Sequence, residues 1–196
     1  MTEPASRARV VIAEDEAIIR LDLRELLEEE GYDVVGETGR GDEAVELVRG
    51  LEPDLVILDI KMPGLDGLSA ARVVAGERLA AVLILTAFSQ RDLVEQARDA
   101  GALAYLVKPF QQSDLVPAIE IALGRFAELE ALEQEVTDLS ARLETRKTVD
   151  RAKGRLMDGN GMTEQEAWRF LQQTAMASRR TIAAVATDVV EGELTP

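Results

Sequence analysis

The sequence contains no cysteine and no histidine. Without cysteine, the chain can form neither disulfides nor thiolate metal sites. Without histidine, it cannot build a histidine-based catalytic triad, a zinc site of the usual kind or a phosphohistidine. It also lacks an apolar run long enough to span a bilayer, and its start, MTEPASRAR, lacks the apolar stretch of a signal peptide. These absences predict a soluble, cytoplasmic protein with no membrane partner.

The charges are unevenly distributed along the chain. Overall, 37 acidic residues face 22 basic ones, and this net charge of −15 by itself argues against binding to nucleic acid. Residues 146–180, however, contain eight basic and only four acidic side chains. This asymmetry predicts two parts with different roles, and 196 residues, 46% of them apolar, suffice for one compact domain and a smaller one.

Short apolar segments alternate with helical patterns in the first part. Because they are apolar at consecutive positions, these segments are typical of strands buried on both faces of a parallel sheet. The five predicted strands cover 9–13, 33–37, 54–59, 81–87 and 103–107. The predicted helices comprise one that ends before Gly31, then 41–50, 66–77 and 90–100, the last capped by Gly101. This order predicts a doubly wound α/β domain with a five-stranded parallel sheet.

A long helix is predicted from Gln112 or Ser113 onward. Its apolar residues recur at alternating spacings of three and four, which is the pattern of a heptad seam. They are Leu129, Leu132, Val136, Leu139 and Leu143. Because the seam is only about two heptads long, the pattern allows either a coiled coil between chains or an amphipathic helix packed on its own chain.

The last part of the chain predicts three helices. The first covers about 144–158 and ends at the glycines of DGNG, 158–161. Thr163 and Glu166 have the spacing of a capping box that starts the second helix, and Thr181 is a candidate N-cap for the third. The predicted buried faces contain Val149, Ala152 and Leu156, then Ala167, Leu171 and Ala175, then Ile182, Val185, Ala186 and Val189.

Polar residues follow the predicted strands at the ends where doubly wound sheets bind ligands. They are Glu14 and Asp15 after the first strand, Asp59 at the end of the third, Thr86 and Ala87 at the fourth, and Lys108 and Pro109 after the fifth. Carboxylates bind Mg²⁺, and one of them can accept a phosphoryl group while a lysine neutralises its oxygens. Each residue alone could be a turn or surface residue, but together they predict a phosphoryl-acceptor site.

Residues 9–125 resemble a response-regulator receiver domain of bacterial two-component signalling, which has a flavodoxin-like fold. The resemblance rests on EDE (14–16), DIKMPGLDG (59–67), TA (86–87) and YLVKPF (105–110). It implies that a sensor histidine kinase phosphorylates Asp59. It also implies that Glu14, Asp15, Asp59 and the backbone carbonyl of Lys61 hold Mg²⁺.

The same resemblance implies a conformational switch. Thr86, with Ala87 beside it, and Tyr105 match the switch residues, and Lys108 matches the lysine that binds the phosphoryl group, with a cis bond to Pro109. A phosphoryl group adds about −1.5 to −2 charges and three acceptor oxygens. We therefore expect Thr86 to move toward it and Tyr105 to fill the vacated space.

Residues 146–190 resemble an ANTAR domain, the three-helix RNA-binding module of antitermination regulators. The matching residues are Ala152, Lys153 and Gly154, Leu156 and Met157, Gly161, Glu166 and Ala167, Leu171, Ala175 and Ala186, whereas Arg155 occupies a position that is often aliphatic. The predicted RNA-binding residues are Arg146, Lys147, Arg151, Lys153, Arg155, Arg179 and Arg180, with Lys153 and Arg180 the leading candidates. Trp168 could stack on a base, although a structural or interface role is the more ordinary interpretation.

These patterns predict a tail over 1–8, a receiver domain over 9–120, a coiled-coil linker helix over 121–145 and an ANTAR domain over 146–196. The predicted protein is a response regulator that, once phosphorylated, binds the hairpin loops of nascent transcripts and prevents termination. It would act on the RNA polymerase complex indirectly and pair with a second copy when phosphorylated. This organisation is similar to that of phosphorylation-dependent antitermination regulators of mycobacteria.

Two other outputs remain open at this stage. A DNA-binding helix-turn-helix would need a basic or amide-rich recognition helix, but TIAAVATDVVEGE contains no lysine or arginine. A protein-interaction module would use the acidic long helix and bind no nucleic acid. No further catalytic group of residues follows residue 125, so we expect the protein not to be an enzyme.

Overall fold

The computed structural model describes residues 7–87 and 91–195. The chain divides into two compact units, Met1–Glu130 and Ala131–Pro196. Among the described residues, no helix is long and apolar enough to cross a membrane. Residues 1–6 of the predicted tail and Gln90, at the predicted start of the fourth helix, lie outside the described residues.

The first unit is built on a five-stranded parallel sheet, which confirms the predicted fold class. The strands are β1 (Arg9–Ala13), β2 (Asp33–Thr38), β3 (Leu55–Asp59), β4 (Ala81–Thr86) and β5 (Ala104–Val107), in the spatial order β2-β1-β3-β4-β5. The helices are α1 (Ala17–Glu29), α2 (Gly41–Leu51), α3 (Gly67–Glu77), α4 (Arg91–Asp99) and α5 (Gln112–Asn160), of which the first part of α5 belongs to this unit.

Alternate residues of each strand are buried on opposite faces of the sheet. Val11 packs in a cluster with residues of α2 and α3, whereas Val10 and Ile12 pack with residues of α1 and α5. All of β3 and β4 is buried, as expected for central strands covered on both sides. The carboxyl ends of the parallel strands therefore meet at one edge, where the strand-end residues lie.

Helix α5 runs without interruption from Gln112 to Asn160, so the helix predicted over 144–158 is its last part. No glycine or proline occurs between Arg125 and Lys153, and nothing in that stretch ends a helix. The seam residues Leu132, Val136, Leu139 and Leu143 are 53–63% exposed in the single chain. This exposure favours a coiled coil over packing against the same chain.

The second unit contains the end of α5 with α6 (Glu164–Ser178) and α7 (Ile182–Glu191). Its core contains the predicted apolar residues of all three helices, of which Ile182 is only partly buried. Thr163 and Glu166 form the predicted capping box, and Thr181 caps α7 by accepting a hydrogen bond from the Ala184 amide. Helix α6 ends at Ser178, and its C-cap residue Arg179 adopts a left-handed backbone conformation with φ of 54°.

Candidate functional site

Three carboxylates lie together at the carboxyl edge of the sheet. Glu14 and Asp15 follow β1, and Asp59 ends the neighbouring β3. One carboxylate oxygen from each lies within 4.8 Å of the others. Glu14 is fully buried and Asp59 is 6% exposed, whereas Asp15 is open to solvent. The arrangement provides hard oxygen ligands on a partly open surface, which is the donor set that Mg²⁺ prefers.

Lys108 places a positive charge directly against this cluster. Its Nζ lies 2.8 Å from Asp59 Oδ1 and 2.5 Å from Glu14 Oε2. Its backbone amide donates to the Thr86 carbonyl at 2.8 Å, and its peptide bond to the exposed Pro109 is cis, as predicted. The lysine is thus anchored to β4 and reaches back to the ends of β1 and β3.

Burial and charge have opposing effects on the pKa values at this edge. Burial raises the pKa of Glu14, the hydrogen bond from Lys108 opposes the rise, and the nearby Asp59 charge adds to it. Burial lowers the pKa of Lys108, but hydrogen bonds and ion pairs with Asp59 and Glu14 outweigh this effect, so the net shift is upward. The lysine therefore stays charged, and the clustered carboxylates favour binding of a further cation.

The loop after β3 fixes the position of the Asp59 carboxylate. The amide of the exposed Lys61 donates to Asp59 Oδ2 at 2.9 Å, so the two carboxylate oxygens have different partners. The Gly67 amide donates to the Ile60 carbonyl at 2.9 Å, and a Cβ at Gly67 would overlap the carbonyl oxygen of Asp59. Asp66 caps α3 by accepting from the Ser69 amide. The start of α3 is therefore held against the end of β3.

The two predicted switch residues lie on neighbouring strands and on the same face of the sheet. Thr86 ends β4 and is buried, and the exposed Ala87 follows it. Tyr105 lies on β5 opposite Ile84, two residues before Thr86, and its side chain is 47% exposed. Because residues two apart in a strand share a face, Thr86 and Tyr105 point to the same side.

In the second unit, three of the seven predicted RNA-binding residues make contacts that connect separate elements of the fold. Lys153 Nζ lies 2.9 Å from Asp150 Oδ1 and 2.8 Å from Glu164 Oε1, which links α5 to the first turn of α6. Arg180 makes two hydrogen bonds to Asp188 of α7, at 2.5 and 3.1 Å. Arg155 donates to the Val190 carbonyl. The two leading candidates, Lys153 and Arg180, are thus already engaged in ion pairs.

The other predicted basic residues are exposed. Lys147 pairs with Glu144 at 2.8 Å, whereas Arg146, Arg151 and Arg179 have no ion pair with any residue in the described part of the chain. The structure adds a candidate that the sequence analysis missed. Arg142 lies one helical turn before Arg146, and both line a groove between α5, α6 and α7. The i,i+4 spacing of the two arginines was the available signal.

Comparisons with known proteins match a different domain family to each of the two units. A family model of the response regulator receiver domain matches residues 10–120, and a model of the ANTAR domain matches residues 137–190. The chain is 58% identical over 202 aligned positions to the transcriptional regulatory protein PdtaR of Mycobacterium tuberculosis, covering all of this chain and 98% of that protein.

Solved structures resemble the first unit. The receiver domain of the putative response regulator NarL from Mycobacterium tuberculosis is 31% identical with a TM-score of 0.59, covering 61% of this chain and 98% of that one. A chain of the CheX-CheY-BeF3-Mg+2 complex from Borrelia burgdorferi is 25% identical with a TM-score of 0.55, covering 57% of this chain and 86% of that one. The chain therefore belongs to the response regulators in which a receiver domain is followed by an ANTAR domain.

Proposed function

We propose that this response regulator is phosphorylated on Asp59 by a sensor histidine kinase and then binds paired hairpins in nascent transcripts, preventing transcription termination. The observation that carries the proposal is the contact of one lysine, Lys108, with both Asp59 and Glu14, on a chain that also contains an ANTAR domain. It would act in the cytoplasm, where transcripts form, and influence RNA polymerase only through the RNA.

In the first step, a carboxylate oxygen of Asp59 attacks the phosphorus of a phosphohistidine on the kinase. A P–O bond forms, the P–N bond breaks, and the imidazole leaves. Lys108 is close enough to Asp59 to bind an oxygen of the transferred group. Glu14, Asp15, Asp59 and the Lys61 carbonyl would hold Mg²⁺, which supplies positive charge next to the transferred phosphoryl oxygens.

In the second step, the new phosphoryl group changes the packing between β4 and β5. The buried Thr86 hydroxyl would donate a hydrogen bond to a phosphoryl oxygen, and the half-exposed Tyr105 ring on the same face would move into the vacated space. A change of a few kcal/mol is enough to shift a two-state population.

In the third step, the altered receiver pairs with a second copy. The exposed apolar seam of α5 from Leu132 to Leu143 has the spacing of a coiled coil and would provide the contact. Pairing brings two ANTAR domains onto one RNA, so the second hairpin binds at a high effective concentration.

The test is a salt titration of binding to fluorescently labelled paired hairpins, one hairpin and duplex DNA. The full chain is compared with and without beryllofluoride and Mg²⁺, and Asp59→Asn serves as the unresponsive control. We expect paired hairpins to bind best, and only the wild type to bind more tightly with beryllofluoride. Preference for duplex DNA would favour a DNA-binding output, and binding to neither would favour a protein partner.

A further inference from the structure

A groove of about 510 Å³ opens in the second unit between the C-terminal part of α5, α6 and α7. Its volume lies within the roughly 300–1,000 Å³ typical of pockets for small molecules. Val149 and Ile182 contribute apolar surface, Trp168 of α6 lines the groove, and Arg142 and Arg146 of α5 lie along it. The groove therefore combines an aromatic ring, an apolar interior and two guanidinium groups.

Trp168 is the only tryptophan of the chain, and it is not part of the core of this unit. Its side chain is 42% exposed, whereas the neighbouring Ala167, Leu171 and Ala175 are buried and join α6 to the other helices. Its indole N–H has no hydrogen-bond partner among the residues that the structure describes. The ring thus presents a flat surface that the fold covers only in part.

The charges along the groove point to an anionic ligand. Arg142 and Arg146 are exposed and lie one helical turn apart, and neither has an ion pair with a described carboxylate. The third basic residue of the groove, Lys153, is held by Asp150 and Glu164. The two arginines are therefore available to a ligand, in a chain whose net charge is otherwise strongly negative.

We infer that this groove receives one unpaired base of an RNA loop, which stacks on Trp168 while Arg142 and Arg146 contact the flanking phosphates. Aromatic rings bind single-stranded bases by stacking in many proteins, and arginines neutralise the phosphates on either side. The inference rests on the proposed RNA binding and adds the side chain that contacts a base.

Because Trp168 is the sole tryptophan, its fluorescence reports on the groove directly. The full chain with beryllofluoride and Mg²⁺ is titrated with end-labelled RNA, and label anisotropy and tryptophan emission are recorded together. Hairpin RNA should quench the emission along the same curve as the anisotropy. Fully paired RNA of the same length should leave the emission unchanged.

Three variants separate stacking from a general loss of structure. Trp168→Ala should weaken hairpin binding about tenfold or more, the order expected for one stacked base, whereas Trp168→Phe should retain most of the affinity. Gln165→Ala, on the same helix but outside the groove, should bind like the wild type. Equal thermal unfolding midpoints across the set would exclude misfolding as the cause.

The outcomes distinguish this inference from the proposed function. Hairpin binding without quenching, or with full affinity in Trp168→Ala, would overturn the inference and leave the proposed function standing. No RNA binding by anisotropy would overturn both. If the tryptophan emission per molecule fell as protein concentration rose in the absence of RNA, a second copy of the chain would cover the groove. That result would also overturn the inference.

Discussion

Gly67 begins α3 directly against the backbone of Asp59, with no space for a side chain between them. We expect Gly67→Ala to destabilise the first unit by about 1–3 kcal/mol, the usual range for forcing an extra carbon into a packed site. The loop after β3 would move and displace the Lys61 amide from Asp59, so phosphorylation of Asp59 should also slow. Chemical unfolding and incorporation of phosphate from a kinase would measure the two effects.

Gly76 provides the matched control, because it lies in the same helix and a Cβ there would contact nothing within 4 Å. Gly76→Ala should stabilise the protein by about 0.5–1 kcal/mol through higher helix propensity and leave phosphorylation unchanged. If the two substitutions had similar effects, the close approach at Gly67 would not control the geometry of Asp59.

At the level of single residues, the strand-end cluster could be predicted and the ion pairs of the second unit could not. Asp59 and Lys108 follow apolar strands whose order places them at one edge, so strand patterning alone brings them together. The pairing of Lys153 with Glu164 depends on how α6 is rotated against α5, which no local pattern determines. For the same reason, the sequence did not indicate that Trp168 is half exposed.

Among the helices, α6 should lose stability in acid through its first turn. The Thr163 amide and hydroxyl donate to Glu166 and hold the pKa of that carboxyl below its usual value. Because the folded pKa is lowered, the stabilisation is present above the unfolded value of about 4.3 and is lost as the pH falls toward the folded pKa. Thermal unfolding followed by Trp168 fluorescence between pH 3 and about 6 would measure this loss.

Glu166→Gln isolates this contribution from that of other carboxylates. Glutamine keeps an oxygen that can accept from Thr163 but does not titrate in this range, so the capping box remains. We expect the variant to show a shallower fall of the unfolding midpoint in acid. Identical pH profiles for the variant and the wild type would argue against a role of Glu166 in acid sensitivity.

The seam of α5 should matter for pairing and not for folding of the single chain. Leu139 is 55% exposed, so Leu139→Glu should change the unfolding midpoint of dilute, unphosphorylated protein very little. A charge in the seam opposes coiled-coil packing, and we therefore expect beryllofluoride-dependent dimers to be lost in sedimentation experiments. Thr137→Glu adds the same charge off the seam and should still dimerise; equal loss in both variants would show that charge alone is responsible.

The structure has one continuous helix α5 where the sequence predicted two helices. The sequence predicted a separate helix over about 144–158, with Val149, Ala152 and Leu156 on its buried face. In the structure the helix continues and only its buried face changes. A change of face does not require a break, and without glycine or proline the backbone stays helical.

For the whole molecule, the uneven charge predicts how RNA binding responds to salt. On single strands, each phosphate contact contributes about 0.7 to the slope of log affinity against log salt concentration. Arg146→Ala should lower the slope by about 0.7, because this arginine is exposed and has no ion pair within the described chain. Lys153→Met should leave the slope nearly unchanged, because its ammonium group is already ion-paired with Asp150 and Glu164.

From the sequence, Lys153 was expected to contribute more to RNA binding than Arg146, and the predicted salt slopes have the opposite order. Lys153 was a leading candidate among the basic residues of this segment, and in the structure its ion pair with Glu164 joins α5 to α6. If Lys153→Met lowered the salt slope and Arg146→Ala did not, the ion pairs of Lys153 would have to open on binding, and the RNA surface would centre on the start of α6.

Arg179 ends α6 in a left-handed backbone conformation that an L-residue adopts at a cost of about 1–2 kcal/mol and that glycine adopts freely. Backbone hydrogen bonds to the carbonyls of Ala175 and Met176 offset part of this cost, but the exposed side chain has no ion pair with a described residue. Glycine at position 179 would avoid this cost. If Arg179 contacts RNA, a screen for thermal resistance alone would therefore select against the charge that RNA binding uses.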